Sequence, residues 1–266
     1  AAKYALTYDT NAMENDTVTG GITDDNDYIS GQTVVLADGS SLSYTESGAD
    51  AKKVVFIGWS ANDTDQIYSD SDDDKAAFAK ITIVPAVTFD KANITVYAVW
   101  GYDADGDGRA DVLGNDYVIY PFAGLNGSIN PDKATTVTKG GEKAFTLSPA
   151  SGYAVDLIYI DRTPFCNDGT EDLAGYDKDN KTYTFSDVQA DHSIVVTFAE
   201  DADSNGIPDK YKTYTVTASV DGSNNGSISP ATKVVRAGDD VEFTITANAD
   251  YALDYITVND DVVYAC

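Results

Sequence analysis

Apolar positions along this chain fall in short runs with the period of strands rather than helices. From residue 213 to 220 polar and apolar side chains alternate, as in a half-buried antiparallel strand. Residues 182–185 and 193–198, rich in Thr, Val, Tyr and Phe, read as two more strands. They lie on either side of the turn-prone pairs Ser186-Asp187 and Ala190-Asp191. Asn126-Gly127 and Asn225-Gly226 are tight-turn signals. The best helical stretch is residues 72–80, which opens on Asp72, Asp73 and Asp74, acids suited to the positive end of a helix dipole. The pattern predicts a mainly β protein with at most a short helix there.

The chain also repeats itself. Gly127-Ser-Ile-Asn-Pro131 matches Gly226-Ser-Ile-Ser-Pro230, Phe145 with Leu147 matches Phe243 with Ile245, and Tyr153 with Asp156 matches Tyr251 with Asp254. The step from Phe145 to Phe243 is also the step between two acidic loops. One runs through Asp103, Asp105, Asp107, Gly108, Arg109 and Asp111. The other runs through Asp201, Asp203, Asn205, Gly206, Ile207 and Asp209. Both follow D-x-D-x-[DN]-G-x-x-D. Oxygen side chains at positions 1, 3, 5 and 9 of such a loop converge on one hard cation. The glycine at position 6 permits the sharp turn, and the carbonyl at position 7, of Arg109 or Ile207, adds a ligand. The expected ion is calcium. Neither loop has the glutamate that an EF-hand places at position 12, where Gly114 and Lys212 stand. The coordination shell is therefore expected to be completed by water or by the adjoining modules; where a module face supplies the ligand, calcium fixes the angle between neighbouring modules.

The loops divide the chain into module 1 (1–101), a linker loop (102–114), module 2 (115–200), a second linker loop (201–211) and module 3 (212–266). Module and loop together form the repeat, the signature of a linear array. Against module 2, module 3 has no counterpart of the strands at 182–185 and 193–198. It is expected to be cut short or to be completed by a strand from elsewhere, an open edge being a site of strand addition.

Composition narrows the role. Lys and Arg number 17 against 44 Asp and Glu, a net charge of −27. Such a surface repels nucleic acid and anionic membrane, and three arginines (Arg109, Arg162, Arg236) are too few for a phosphate-binding patch. No run approaches the ~18–20 apolar residues of a membrane helix. Millimolar calcium is an extracellular condition, and loops of this kind in extracellular modules bind at roughly 10⁻⁴–10⁻³ M. The loops thus point to a secreted or cell-surface protein.

Module 1 opens on residues 3–11, which carry Tyr4, Tyr8, Asp9 and Asn11. It has Phe56-Ile-Gly-Trp59 in the middle and closes on Tyr97-Ala-Val-Trp100. These residues resemble the Listeria–Bacteroides repeat, also called the internalin B-repeat; the long polar stretch from Ala12 to Gly48 departs from it. Modules 2 and 3 are similar to a divergent branch of the same repeats, and the acidic loops resemble bacterial thrombospondin type 3 repeats. The resemblance implies small β-grasp-like modules in an elongated tandem array, with Ig-like sandwich modules as the alternative. It implies a bacterial surface stalk, spacer or adhesin, and no catalytic residues.

The remaining candidates have plainer readings. His192 is read as a turn histidine, and Trp59 and Trp100 as core. Asp70, Asp72, Asp73 and Asp74 are read as a solvated loop or helix start rather than a metal site. Cys166 and Cys266 are expected as single thiols, or in bonds between chains, rather than as a disulfide with each other. Asn15, Asn62, Asn93, Asn126, Asn180 and Asn225 head N-x-[ST] triplets that matter only if the source glycosylates its surface proteins. The expected partner is an unidentified host or surface protein or glycan, with self-association through module 3 as a further expectation. Two alternative roles are a filament or pilus subunit completed by strand exchange, and a carbohydrate-binding accessory segment of a secreted enzyme.

Overall fold

The structure is a computed structural model that describes residues 2–49, 51–170, 172–221 and 225–265. Contacts group the chain into two units, Ala1–Pro208 and Asp209–Cys266. The first unit holds modules 1 and 2. The fold is mainly β, in tandem β modules, as the alternation requires.

Module 1 contains β1 (Leu6–Asp9), β2 (Thr17–Thr19), β3 (Thr33–Val35), β4 (Ser43–Thr45), β5 (Val54–Ser60), β6 (Ile67–Tyr68), α1 (Asp72–Phe78), β7 (Ala86–Thr88) and β8 (Ile94–Tyr102). Its first and last long strands, β1 and β8, run parallel, with Leu6 opposite Ile94. β5 flanks β8 in antiparallel register with a bulge between Phe56 and Gly58. The ribbons β2–β4 and β3–β7 contribute to the same core, which holds Leu6, Leu36, Tyr44, Val87, Phe89, Val96 and both tryptophans. Trp59 and Trp100 are 2% and 1% exposed, as expected of core residues. Each indole N–H finds a carbonyl, of Ala37 at 2.7 Å and of Thr10 at 2.8 Å, so neither ring buries an orphan donor. Asn11 closes the opening motif by donating to the carbonyls of Thr64 and Ala98, both at 3.0 Å. The helix forms where the acids predicted it. Ser71 caps it by accepting from the Asp74 amide at 3.2 Å, and Asp74 turns back to accept from the Ser69 amide at 2.8 Å.

Module 2 contains β9 (Tyr117–Ala123), β10 (Gly127–Asn130), β11 (Thr135–Val137), β12 (Lys143–Pro149), β13 (Tyr153–Ile160), β14 (Thr163–Cys166), β15 (Tyr176–Asp177), β16 (Thr182–Phe185) and β17 (His192–Glu200). One sheet has the order β11-β9-β17-β13-β14 and the other β10-β12-β16-β15. Again the first and last strands, β9 and β17, pair in parallel, while β13 flanks β17 antiparallel. Ile119, Ile158, Ile194 and Val196 of the first sheet share one core with Ile129, Phe145, Leu147 and Phe185 of the second. The parallel first-to-last pair is the β-grasp-like feature; the layer packed on it is a sheet, as in a sandwich. Periodicity alone does not encode which strand pairs with which, so this two-layer order was not readable from the alternation.

The two modules of the first unit also touch directly. The Arg162 Nε donates to the Leu36 carbonyl at 3.1 Å. A Cβ on Gly124 would stand 2.7 Å from the Thr33 hydroxyl, so only glycine lets these surfaces meet so closely.

The second unit contains β18 (Thr213–Thr217), β19 (Gly226–Ser229), β20 (Thr232–Arg236), β21 (Thr244–Ala247), β22 (Tyr255–Val258) and β23 (Asp261–Ala265). They form the pairs β18–β20, β19–β21 and β22–β23. These repeat the module 2 pairs β9–β11, β10–β12 and β13–β14. Ile228 faces Ile245 across β19–β21 as Ile129 faces Leu147 across β10–β12.

Candidate metal loops at the module junctions

The first acidic loop leaves module 1 at the end of β8. Asp103 donates its amide to the Lys53 carbonyl at 3.0 Å, and its carboxylate is drawn inward, leaving the residue 3% exposed. There it accepts from the Gly106 amide at 2.8 Å, the Gly108 amide at 3.1 Å and the Lys53 ammonium. The Lys53 ammonium, helped by the two amides and opposed by burial, holds the Asp103 carboxyl below the usual aspartate range. Asp103 is therefore a carboxylate at neutral pH. Gly108 takes φ 92°, the left-handed turn that the sixth position demands.

The loop brings Asp103, Asp105 and Asp111 together, with a carboxylate oxygen from each lying within 4.8 Å of the others. Unit charges about 4 Å apart repel by about 4 kcal/mol at the effective dielectric near a protein surface, so a cation relieves a cost built into the loop. Asp107 is not part of this cluster. Its Oδ1 accepts from the Arg109 amide at 2.7 Å. The donors are hard oxygens, the set that suits calcium or magnesium.

The C-terminal end of the loop is pinned to module 1. Asp111 starts a 3-10 turn, Asp111–Leu113, and accepts from the Ala104 amide at 2.8 Å. Ala110 and Val112 are buried with Tyr68 and Val99, against Phe78 of α1. A Cβ on Gly101 would lie 2.6 Å from the Ala110 Cβ, so that glycine sets how closely the loop approaches β8.

Arg109 ties the same loop to module 2. Its Nε and Nη2 donate to the two oxygens of Asp191, at 2.9 and 3.1 Å, and Nη2 also reaches the Asp116 carbonyl at 2.7 Å. Nη1 donates to the Gly114 carbonyl. Asp191 in turn accepts from the Val118 amide at 2.7 Å and so fixes the start of β9.

No protein-family model and no curated protein matches the chain. Among solved structures it is similar to Streptococcal High Identity Repeats in Tandem (SHIRT) domains 3-4 from a cell surface protein, at 10% sequence identity. The match covers 76% of this chain and 100% of that one, with a TM-score of 0.22.

The second loop repeats the local bonding of the first. Asp201 is 4% exposed and donates its amide to the Gly152 carbonyl at 2.9 Å. Its carboxylate accepts from the Asn205 amide at 3.1 Å and the Gly206 amide at 2.9 Å. Asn205 accepts from the Ile207 amide at 2.8 Å, as Asp107 does from Arg109, and Gly206 takes φ 84°. Asp203 stands in the third position, accepting from the Asn205 amide at 3.4 Å. Asp209 opens the second unit as the first residue of the 3-10 turn Asp209–Tyr211. Asn167 holds this loop to module 2 by donating to the Val155 carbonyl at 2.8 Å and the Gly206 carbonyl at 3.0 Å. The loop walls a concavity of about 460 Å³ shared with Tyr176, Lys178 and Lys181.

Lys53, Asn167 and Asp191 carry no signal of these roles in the sequence. Each acts on a loop far from it in the chain, and only Asp191, beside the lone histidine, stands in a stretch that the sequence singles out. His192 opens β17, its Nδ1 2.6 Å from Asp161 Oδ2 and its ring 5.0 Å from that of Phe185, so it fastens the β13–β14 turn. Cys166 is exposed on β14, while Cys266 lies outside the described residues. Among the described residues no helix is long and apolar enough to cross a membrane.

Proposed function

We propose that this chain is a non-enzymatic, calcium-stiffened repeat segment of a secreted or cell-surface protein, serving as a stalk or adhesin. The observation that carries the reading is the position of the first acidic cluster. Asp103, Asp105 and Asp111 gather on a loop that is packed into module 1 through Ala110 and Val112 and clamped to module 2 through Arg109. A divalent cation held there by the three carboxylates removes their mutual repulsion and stiffens a joint already gripped on both sides. In the second loop Asp201 and Asp203 stand at the places of Asp103 and Asp105. The Listeria–Bacteroides and thrombospondin type 3 resemblances, and the acidic surface, support the same role.

Limited proteolysis with and without a chelator tests it. Cleavage within residues 103–111 and 201–209 should be slow in millimolar calcium and fast after chelation. Equal cutting in both conditions contradicts the stiffening role.

A further inference from the structure

We infer that the concavity beside the second loop binds a carboxylated saccharide, a sugar unit that carries a carboxylate and several hydroxyls. The cavity holds about 460 Å³, within the range of small-molecule sites, roughly 300–1,000 Å³. It lies wholly in the first unit, between β13, the β15–β16 hairpin and residues 204–207.

The walls are held by the fold itself. Asn167 is 5% exposed, and its Nδ2 donates to the Val155 carbonyl at 2.8 Å and to the Gly206 carbonyl at 3.0 Å. Both amide hydrogens are thereby spent, which fixes the way the side chain faces. Its Oδ1 accepts from no described residue. No buried polar side-chain atom among the described residues lacks a partner, so this Oδ1 opens onto the cavity that Asn167 lines. On the hairpin, Asp177 Oδ1 accepts from the Asp179 and Asn180 amides, both at 3.0 Å, and Oδ2 accepts from the Asn180 side chain at 2.8 Å. The turn set in this way brings Lys178 and Lys181 to the cavity. Lys178 is engaged by Asp172 at 2.7 Å, whereas the Lys181 ammonium has no partner among the described residues. Tyr176, half-buried against the module 2 core, lines the same space, and its hydroxyl also lacks a described partner. Burial pushes this phenol up to about 12, so at neutral pH it is a neutral donor.

These groups select the ligand class. An unspent ammonium calls for an anion. Asn167 Oδ1 and the Asp179 carboxylate, which is also on the wall, call for hydroxyl donors and oppose a second negative charge. The Tyr176 ring offers an apolar face with a polar tip, the pairing that suits a sugar ring. Phosphate carries more charge than one ammonium balances and gives the two acceptors little in return. The net charge of −27 does not forbid an anion here. At physiological ionic strength charges beyond about 8 Å are screened, so the lysines on the wall set the local field.

The inference stands apart from the calcium reading, because it rests on side chains other than the carboxylates of the loops and the experiment is run in chelator. Glucuronic acid is titrated into the full chain and backbone amide shifts are followed by NMR. Shifts should saturate at Asn167, Tyr176, Lys181 and Asn205 with a dissociation constant of about 1 mM, the strength expected of so small a ligand. Glucose, which has the ring without the carboxylate, should bind at least about threefold more weakly. Lys181→Gln, at an exposed side chain, should keep the spectrum of the parent outside the cavity and bring glucuronic acid down to the affinity of glucose. Absence of saturable shifts at those four residues overturns the inference. So does glucose binding as tightly as the acid, or an affinity for the acid that Lys181→Gln leaves unchanged.

Discussion

Arg109 and Asp191 meet through two hydrogen bonds, Nε to Oδ2 at 2.9 Å and Nη2 to Oδ1 at 3.1 Å, and so fasten the first acidic loop to the residue just before β17, which also accepts from the Val118 amide of β9. The pairing is planar and two-pronged, the form in which arginine and carboxylate bind best. It places a long-range clamp on the same loop that gathers three carboxylates.

A lysine at this place keeps the charge but loses the fork. Arg109→Lys should therefore destabilise the first unit by about 1–2 kcal/mol and speed proteolysis of residues 103–111 even in calcium. Thermal unfolding and limited digestion check this; a variant as resistant as the parent contradicts the clamp.

The other side of the loop rests on Gly101. Adding a methyl there collides with the Ala110 Cβ and with Ile57, both packed in place. Gly101→Ala should cost about 1–3 kcal/mol by overpacking and should expose the 3-10 turn Asp111–Leu113 to faster hydrogen exchange.

Stability should fall at both ends of the pH range. Asp103, held down by Lys53, Asp16 by the Tyr44 hydroxyl, and Asp74 by Ser69, all have carboxyls below the ordinary aspartate range. A lowered folded pKa contributes stability that is whole above about pH 4 and drains away as pH falls further. Tyr28 and Tyr102 are pushed up to about 12 by burial and by Asp24 and Glu46. Their contribution is whole below about pH 10 and is lost as pH rises through the folded value. Melting temperatures in chelator should thus be flat from about pH 5 to 9 and drop outside it. A maximum below pH 4 contradicts these assignments.

The same substitution at matched places of the repeat should cost different amounts. Leu147→Ala empties a closed core and should cost about 2–5 kcal/mol, while Ile245→Ala removes a side chain already in water and should cost less than about 1 kcal/mol. Hydrogen exchange in β12 and β21 reads the two separately; equal costs contradict the difference in covering.

The strands at residues 182–185 and 193–198, the core place of both tryptophans, and the helix at Asp72 were legible because period, size and capping act locally. The turns at Gly108 and Gly206 were legible for the same reason: the sixth position demands φ above zero. What the sequence hid is long-range. Nothing in a one-dimensional pattern says that β9 lies parallel to β17, that the Lys53 ammonium faces Asp103, or that Arg109, read there for its carbonyl, spends its side chain on Asp191. Asp107 shows the converse. It fits the motif, yet in the folded loop it serves the Arg109 amide rather than the three-carboxylate cluster.

The calcium joint requires that the first loop take up the ion. Calcium titrated calorimetrically into chelator-treated protein should bind saturably, with a dissociation constant of about 10⁻⁴–10⁻³ M. Asp105→Asn, at an exposed side chain, and Asp111→Asn, at a half-buried one, both leave Asp103 and its amides in place and should each weaken the tighter or sole binding event at least about tenfold. Absence of saturable binding, or binding that both variants leave unchanged, would contradict the calcium joint.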